Sequence, residues 1–64
     1  MMTPEAMREA RALLGFTQSN LAQALGLTLR SIQWYESGRR PIPRTVELLI
    51  DRWLEDIPAP AATK

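Results

Sequence analysis

Apolar residues recur at helical spacing in four stretches of the chain, which predicts four short helices. One helical face of the first stretch carries Met7, Ala10, Leu13 and Leu14. Thr3 is a good N-cap, Pro4 suits a first helical turn, and Gly15 is typical of a helix end. We therefore expect a helix from Pro4 to about Leu14.

The central stretch, from Gln18 to Ser37, predicts two short helices joined by a tight turn. Their apolar residues are Leu21, Ala22 and Leu25 in the first helix, and Leu29, Ile32 and Tyr35 in the second. Gly26 lies between the two sets and can adopt the positive φ that a sharply turning helix end requires. Two helices across such a turn form a helix-turn-helix unit.

Threonines precede both helices of this unit and are suited to cap them. Thr17 is the expected N-cap of the first, but Asn20 stands where a capping box prefers Glu or Gln. We therefore expect only half of a capping box there. Thr28 is the expected N-cap of the second helix, which should run to about Ser37, with Gly38 as its end.

The last predicted helix follows Pro41 and Pro43, which force an extended segment. It should begin near Pro43 or Arg44 and reach about Asp56. Its apolar positions are Val46, Leu49, Ile50, Trp53, Leu54 and Ile57. That face is wide for the end of a small domain, so we expect part of it to cover the core. The residues expected to form a dimer interface are Leu49, Ile50, Trp53 and Ile57.

Length and composition exclude most kinds of catalytic and metal site. The chain has 64 residues, which allows one domain, and it contains neither Cys nor His. Disulfides, thiolate or imidazole metal sites and the usual general base are therefore absent, and no glycine-rich phosphate loop occurs. We expect no enzyme activity, no cofactor and no small-molecule ligand. No apolar run is long enough for a signal peptide or for a membrane span, which takes roughly 18 residues. The sequence therefore predicts a cytoplasmic protein without membrane contact.

The net charge of +1 hides an uneven distribution along the chain. Between positions 29 and 44 there are four arginines, Arg30, Arg39, Arg40 and Arg44, against the single acid Glu36. From position 45 onward the acidic residues are in excess. Positive charge is thus concentrated on the second helix of the unit and the loop after it, where a phosphate-binding surface requires it.

Several of these residues together carry a family resemblance. They are Gln18, Leu21, Ala22, Leu25, Gly26, Ile32, Tyr35 and the run from Glu36 to Arg40, with Arg11, Gly15 and Thr17 upstream. In type and spacing they resemble the helix-turn-helix of lambda-type repressor and Cro proteins, the XRE family. The resemblance implies an all-α, compact DNA-binding domain of four to five helices over residues 1–57. Residues 58–64 are expected to be a disordered tail. The alternative is an αα corner that only packs.

The second helix of such a unit lies in the DNA major groove, and its first residues reach base edges. The expected base contacts are Leu29, Arg30, Gln33 and Trp34. Arg30 can pair with guanine, Gln33 with adenine, and Leu29 can touch a thymine methyl group. For Trp34, three placements stay open: against a sugar or thymine methyl, over the loop of residues 39–40, or partly in the core. The alternative for Arg30 and Gln33 is a solvated helix face.

Backbone phosphates are expected to be bound at the start of the first unit helix and at the loop after the second, as is common in the family. The expected contacts are Thr17, Gln18, Ser19, Thr28, Ser37, Arg39, Arg40 and Arg44. The alternative for Arg39 and Arg40 is an ordinary solvated loop. In the family, a first-helix arginine often bridges to the glutamate that ends the recognition helix. Arg11 and Glu36 match those positions, which implies a structural ion pair.

The resemblance implies a transcriptional regulator that binds double-stranded DNA at an inverted repeat as a homodimer. Because so short a chain has no room for a ligand domain, we expect an autorepressor. The compact form, with YESGRRPIP leading into one last helix, looks like small phage-type regulators, including those encoded beside anti-CRISPR genes. Two alternatives stay open: an antitoxin that binds DNA and a toxin, and a protein-interaction module that binds no DNA.

Overall fold

The computed structural model describes residues 1–57, which contain four α-helices and no strand. The helices are α1 (Pro4–Leu14), α2 (Gln18–Leu25), α3 (Leu29–Glu36) and α4 (Arg44–Glu55). Their bounds agree with the sequence prediction to within about a residue, and the predicted tail at 58–64 lies outside the described residues. None of the four helices has the length and apolar character needed to cross a membrane.

Threonine side chains cap the first three helices. Thr3 Oγ1 accepts a hydrogen bond from the N–H of Ala6, and Thr28 Oγ1 accepts one from the N–H of Ser31. The expectation of half a capping box at α2 is wrong, because both halves are present. Thr17 Oγ1 accepts from the N–H of Asn20, and Asn20 Oδ1 accepts from the N–H of Thr17 at 3.4 Å. A short amide side chain therefore closes the box.

The core is built from all four helices, with α1 packed on α3 and α4 and with α2 packed on α3. Its buried apolar residues are Met7, Ala10, Leu21, Ala22, Ile32, Val46 and Ile50. Leu13, expected on the inner face of α1, is 69% exposed. Leu14 packs against the core instead, in register with Met7 and Ala10. Leu13 points away from the core because neighbouring residues on a helix are rotated by about 100°.

The inner face of α4 includes two residues that were expected to meet a second subunit. Ile50 is 1% exposed and belongs to the core, so its assignment to a dimer interface is wrong. Trp53 is half-buried and its ring packs edge-on against Phe16, with centroids 6.1 Å apart. Leu49 and Ile57 are exposed as expected, and so is Leu48, which the sequence pattern did not select.

Candidate nucleic-acid interface

Helix α3 divides its side chains between the core and the surface. Ile32 is fully buried, and Tyr35 packs against the core cluster. Arg30 and Gln33 are exposed on the opposite side, and Leu29 is exposed at the edge between the two sides. These three side chains lie within the first two turns of this eight-residue helix, at the three- and four-residue spacings that make side chains neighbours on a helix surface. They thus form a contiguous surface suited to contact another molecule.

The turn between α2 and α3 sets the angle at which α3 leaves the core. Gly26 has φ of 72°, in the left-handed region, and the following Leu27 N–H donates to the carbonyl of Ala22 at 2.8 Å. This is a glycine-terminated helix end whose last carbonyls are satisfied by the turn. Leu27 packs against the core, and Thr28 then starts the next helix. The first turn of α3 therefore has a fixed position relative to α2.

The carboxylate of Glu36, 4% exposed, fixes the other end of α3. Arg11 donates to it twice, with Nε 2.7 Å from Oε2 and Nη2 3.2 Å from Oε1. Gln18 Nε2 donates to Oε1 at 3.0 Å. Side chains from α1 and α2 thus both hold the last residue of α3. A buried carboxylate with a bidentate arginine and a further donor has the partners that burial of a charge requires.

Arg8 also belongs to this cluster, although the sequence did not single it out. Its Nη1 donates to the backbone carbonyl of Glu36, and its Nη2 lies 4.0 Å from a carboxylate oxygen of Glu5. The signal that could have found it is its position three residues before Arg11, on the same side of α1. Arg8 and Arg11 together bind both the backbone and the side chain of one residue.

The start of α2 offers fewer side-chain groups to a ligand than the sequence suggested. The hydroxyl of Thr17 is used as a cap, and the amide of Gln18 is bonded to Glu36. The N–H groups of Gln18 and Ser19, however, have no acceptor within the helix by the geometry of a first turn. Those two N–H groups are the ones that can bind an anion at this helix end.

The loop after α3 is attached to Trp34. The carbonyl oxygen of Trp34 accepts hydrogen bonds from the N–H groups of Arg39 at 2.9 Å and Arg40 at 3.3 Å. Ser37, another expected phosphate contact, donates its hydroxyl to the same oxygen at 3.2 Å. The side chains of Arg39 and Arg40 are exposed. The loop therefore presents two cations on a backbone that is held by hydrogen bonds to Trp34.

The ring of Trp34 is half-buried and has two guanidinium groups near it. The Cζ atom of Arg40 lies 4.2 Å from the ring centroid and that of Arg30 lies 5.9 Å from it. Of the three placements left open by the sequence, the structure gives the one over the loop of residues 39–40. The geometry thus brings Arg30, Trp34 and Arg40 together, while Arg44 lies exposed at the start of α4.

A comparison with protein families identifies the family of the chain. A family model described as a helix-turn-helix domain matches residues 5–52, which include all of α2 and α3 and most of α1 and α4. No curated protein and no solved structure matches the chain. The match and the four helices confirm the predicted all-α fold of the lambda-repressor-like class. Domains of this family are typically not enzymes.

Proposed function

The chain belongs to the helix-turn-helix domain family, and we propose that it is a sequence-specific DNA-binding regulator of transcription. The observation that carries the proposal is the outer face of α3. Leu29, Arg30 and Gln33 are exposed there, on a helix whose two ends are fixed by Thr28 and Glu36. Side chains held outward on a fixed helix are suited to the major groove.

We assign base reading to those three exposed side chains. Arg30 can donate two hydrogen bonds to guanine, Gln33 can pair with adenine, and Leu29 supplies apolar contact to a thymine methyl group. We do not assign base reading to Trp34, because Arg40 already lies over its ring. Each good bidentate contact contributes about 1–3 kcal/mol of discrimination against the wrong base pair.

Phosphate binding flanks this face in the proposal. Arg39 and Arg40 supply charge from the loop, with Arg44 beyond them, and the N–H groups of Gln18 and Ser19 supply a helix start. The hydroxyls of Thr17, Thr28 and Ser37 have roles in caps and turns, so their part in phosphate binding is secondary. These contacts position α3 without distinguishing one sequence from another.

A homodimer on an inverted repeat completes the proposal. One α3 offers few base contacts, and two copies related by a two-fold axis place their recognition helices about 34 Å apart on one side of the duplex. The outer side of α4 supports such pairing. A shallow groove there is lined by Thr45, Leu48, Leu49, Asp51, Arg52 and Glu55. Exposed leucines surrounded by charges of both signs are suited to a self-complementary contact. Autorepression in the cytoplasm is the regulatory mode we propose.

The deciding experiment is a footprint and titration on the DNA upstream of the chain's own gene, compared with random DNA at two salt concentrations. We expect a protected inverted repeat that is bound at least about 1,000-fold more tightly than random DNA. Weak binding that is equal on both DNAs and vanishes at higher salt would show phosphate attraction alone and would contradict sequence-specific regulation.

Two variants separate base reading from phosphate binding. Gln33→Ala should weaken binding to the operator by about 1–3 kcal/mol and leave binding to random DNA unchanged. Arg39→Ala should weaken binding to both DNAs. It should also reduce the dependence of affinity on salt concentration by the amount expected for the loss of about one phosphate contact. Equal losses on both DNAs for Gln33→Ala would remove α3 from base reading.

A second candidate, an antitoxin that binds DNA and also a toxin, is favoured by the exposed leucines of α4. Its distinguishing outcome is a stable complex with the product of an adjacent gene, in which Leu48 and Leu49 become protected from solvent. A chain that forms such a complex and binds no DNA would be an interaction module.

A further inference from the structure

Trp34 links two parts of the surface proposed to face DNA. Arg30 lies one turn earlier on α3, and Arg40 comes from the loop after it, yet both have guanidinium carbons within 6 Å of one indole ring. At such distances a cation is attracted to the face of a tryptophan ring. Arg30, at 5.9 Å, is at the limit of this attraction, so Arg40, at 4.2 Å, is the cation that the ring orders.

The backbone of Trp34 restrains the same loop. Its carbonyl oxygen accepts hydrogen bonds from the N–H groups of Arg39 and Arg40 and from the hydroxyl of Ser37. Arg40 is thus attached to Trp34 twice, by its backbone and by its guanidinium. A side chain held in this way has fewer conformations to lose when it binds a ligand than a side chain on a solvated loop.

The cations near Trp34 keep their charge available. The ion pairs among residues 1–57 involve Arg8, Arg11 and the amino group of Met1, and none involves Arg30, Arg39 or Arg40. A guanidinium that stacks on a ring does not use its N–H donors for that contact. Those donors match the oxygens of a phosphate, which arginine can bind with two parallel hydrogen bonds.

We infer that Trp34 is a positioning residue that holds Arg40 ready to bind a DNA phosphate and does not itself read a base. This inference rests on the proposed function and deepens it, since it gives the ring a role independent of DNA sequence. Removing the ring leaves Arg40 charged but less ordered, so binding to every DNA sequence weakens alike.

The test titrates Trp34→Leu, Arg40→Ala and the double variant with operator and random DNA, after circular dichroism has verified their folding. We expect Trp34→Leu to weaken binding to both DNAs by about two- to tenfold, and the double variant to bind no more weakly than Arg40→Ala. Trp34→Phe, which keeps an aromatic ring, should retain most of the affinity. Gln33→Ala, at the adjacent exposed position, is the matched control and should affect the operator alone.

Two results would overturn the inference. A loss confined to the operator, and still present when position 40 is already alanine, would make Trp34 a base reader. Unchanged affinity of Trp34→Leu for both DNAs would remove any part for the ring.

A second measurement needs no DNA. Trp34 is the only tryptophan in a Trp53→Phe background, and acrylamide quenches its fluorescence according to its exposure. Arg40→Ala should increase the quenching, whereas Arg39→Ala, which removes the same charge next to it, should not. Unchanged quenching in Arg40→Ala would overturn this inference alone. If the quenching behaves as expected but neither DNA is bound, the proposed function fails, and the role of Trp34 in phosphate binding fails with it.

Discussion

At the scale of single residues, the position of α3 depends on the partners of Glu36. We expect Arg11→Ala to lower the free energy of unfolding by about 3 kcal/mol, because it leaves a buried carboxylate without its bidentate cation. Urea denaturation followed by circular dichroism measures the change. For a domain of this size, such a loss is a large part of the total stability.

Glu5, an exposed carboxylate on α1, the helix that also carries Arg11, gives the control. Glu5 lies near Arg8 but is largely exposed, so Glu5→Gln should change the free energy of unfolding by less than about 0.5 kcal/mol. A loss in Arg11→Ala as small as that of Glu5→Gln would mean that the Glu36 cluster contributes no more than a surface pair.

At the scale of elements, the glycine turn between α2 and α3 tests backbone conformation separately from packing. A Cβ added at Gly26 would meet nothing within 4 Å, so the cost of Gly26→Ala comes from its φ of 72° alone. We expect a loss of about 1 kcal/mol in the free energy of unfolding. Gly26→Asn should cost less, because asparagine tolerates the left-handed region better than alanine does.

The matched control is Gly15→Ala at the end of α1, where φ is 75° and the space is equally open. The two alanine variants should lose similar stability in thermal denaturation. A much larger loss of stability at Gly26 would mean that Gly26→Ala also disturbs contacts of the α2–α3 turn, in addition to straining the backbone.

The bounds of these elements were predictable from local signals. Threonine caps and terminal glycines act within one helical turn, so the sequence alone placed the ends of α1, α2 and α3 closely. The closed capping box at Asn20 was missed because the side-chain geometry of an asparagine is not visible in a residue pattern. Local rules therefore predicted where the helices end and which threonines cap them, and missed the one bond that Asn20 accepts.

At the scale of the whole molecule, the proposed dimer depends on the outer side of α4. Leu48 is 51% exposed there and lines the shallow groove. We expect Leu48→Glu to shift the protein from dimer to monomer in sedimentation equilibrium and to weaken operator binding, with little change in helix content. A charge in the centre of an apolar contact is costly when it has no partner.

Leu13→Glu is the control for a general effect of a surface charge, since Leu13 is exposed on α1. It should leave the sedimentation behaviour unchanged. A Leu48→Glu protein that sediments as the wild type does would place any self-association elsewhere. Trp53→Glu is unsuitable for this test, because the Trp53 ring packs on Phe16 and a charged side chain there would disturb the core.

Contacts between distant elements were the part that the sequence predicted least. Helical spacing alone did not distinguish Ile50, which is buried in the core, from Leu49, which is exposed, because both lie on the wide apolar face predicted for α4. The bonds from Arg8 and Gln18 to Glu36 likewise depend on how three helices meet. The exposed side of α3 was easier to predict, since Ile32 and Tyr35 mark its inner side.

That division of α3 into two faces has a consequence for how such a regulator diverges. Under the proposed function, the side chains that choose the operator are Leu29, Arg30 and Gln33, which are all exposed, whereas Ile32 and Glu36 maintain the fold. Substitutions in the first group cost little stability, since surface positions typically change it by about 0.5 kcal/mol or less. Duplicated copies of the gene can therefore acquire new target sites by substitutions at these three positions, and each variant along the way still folds.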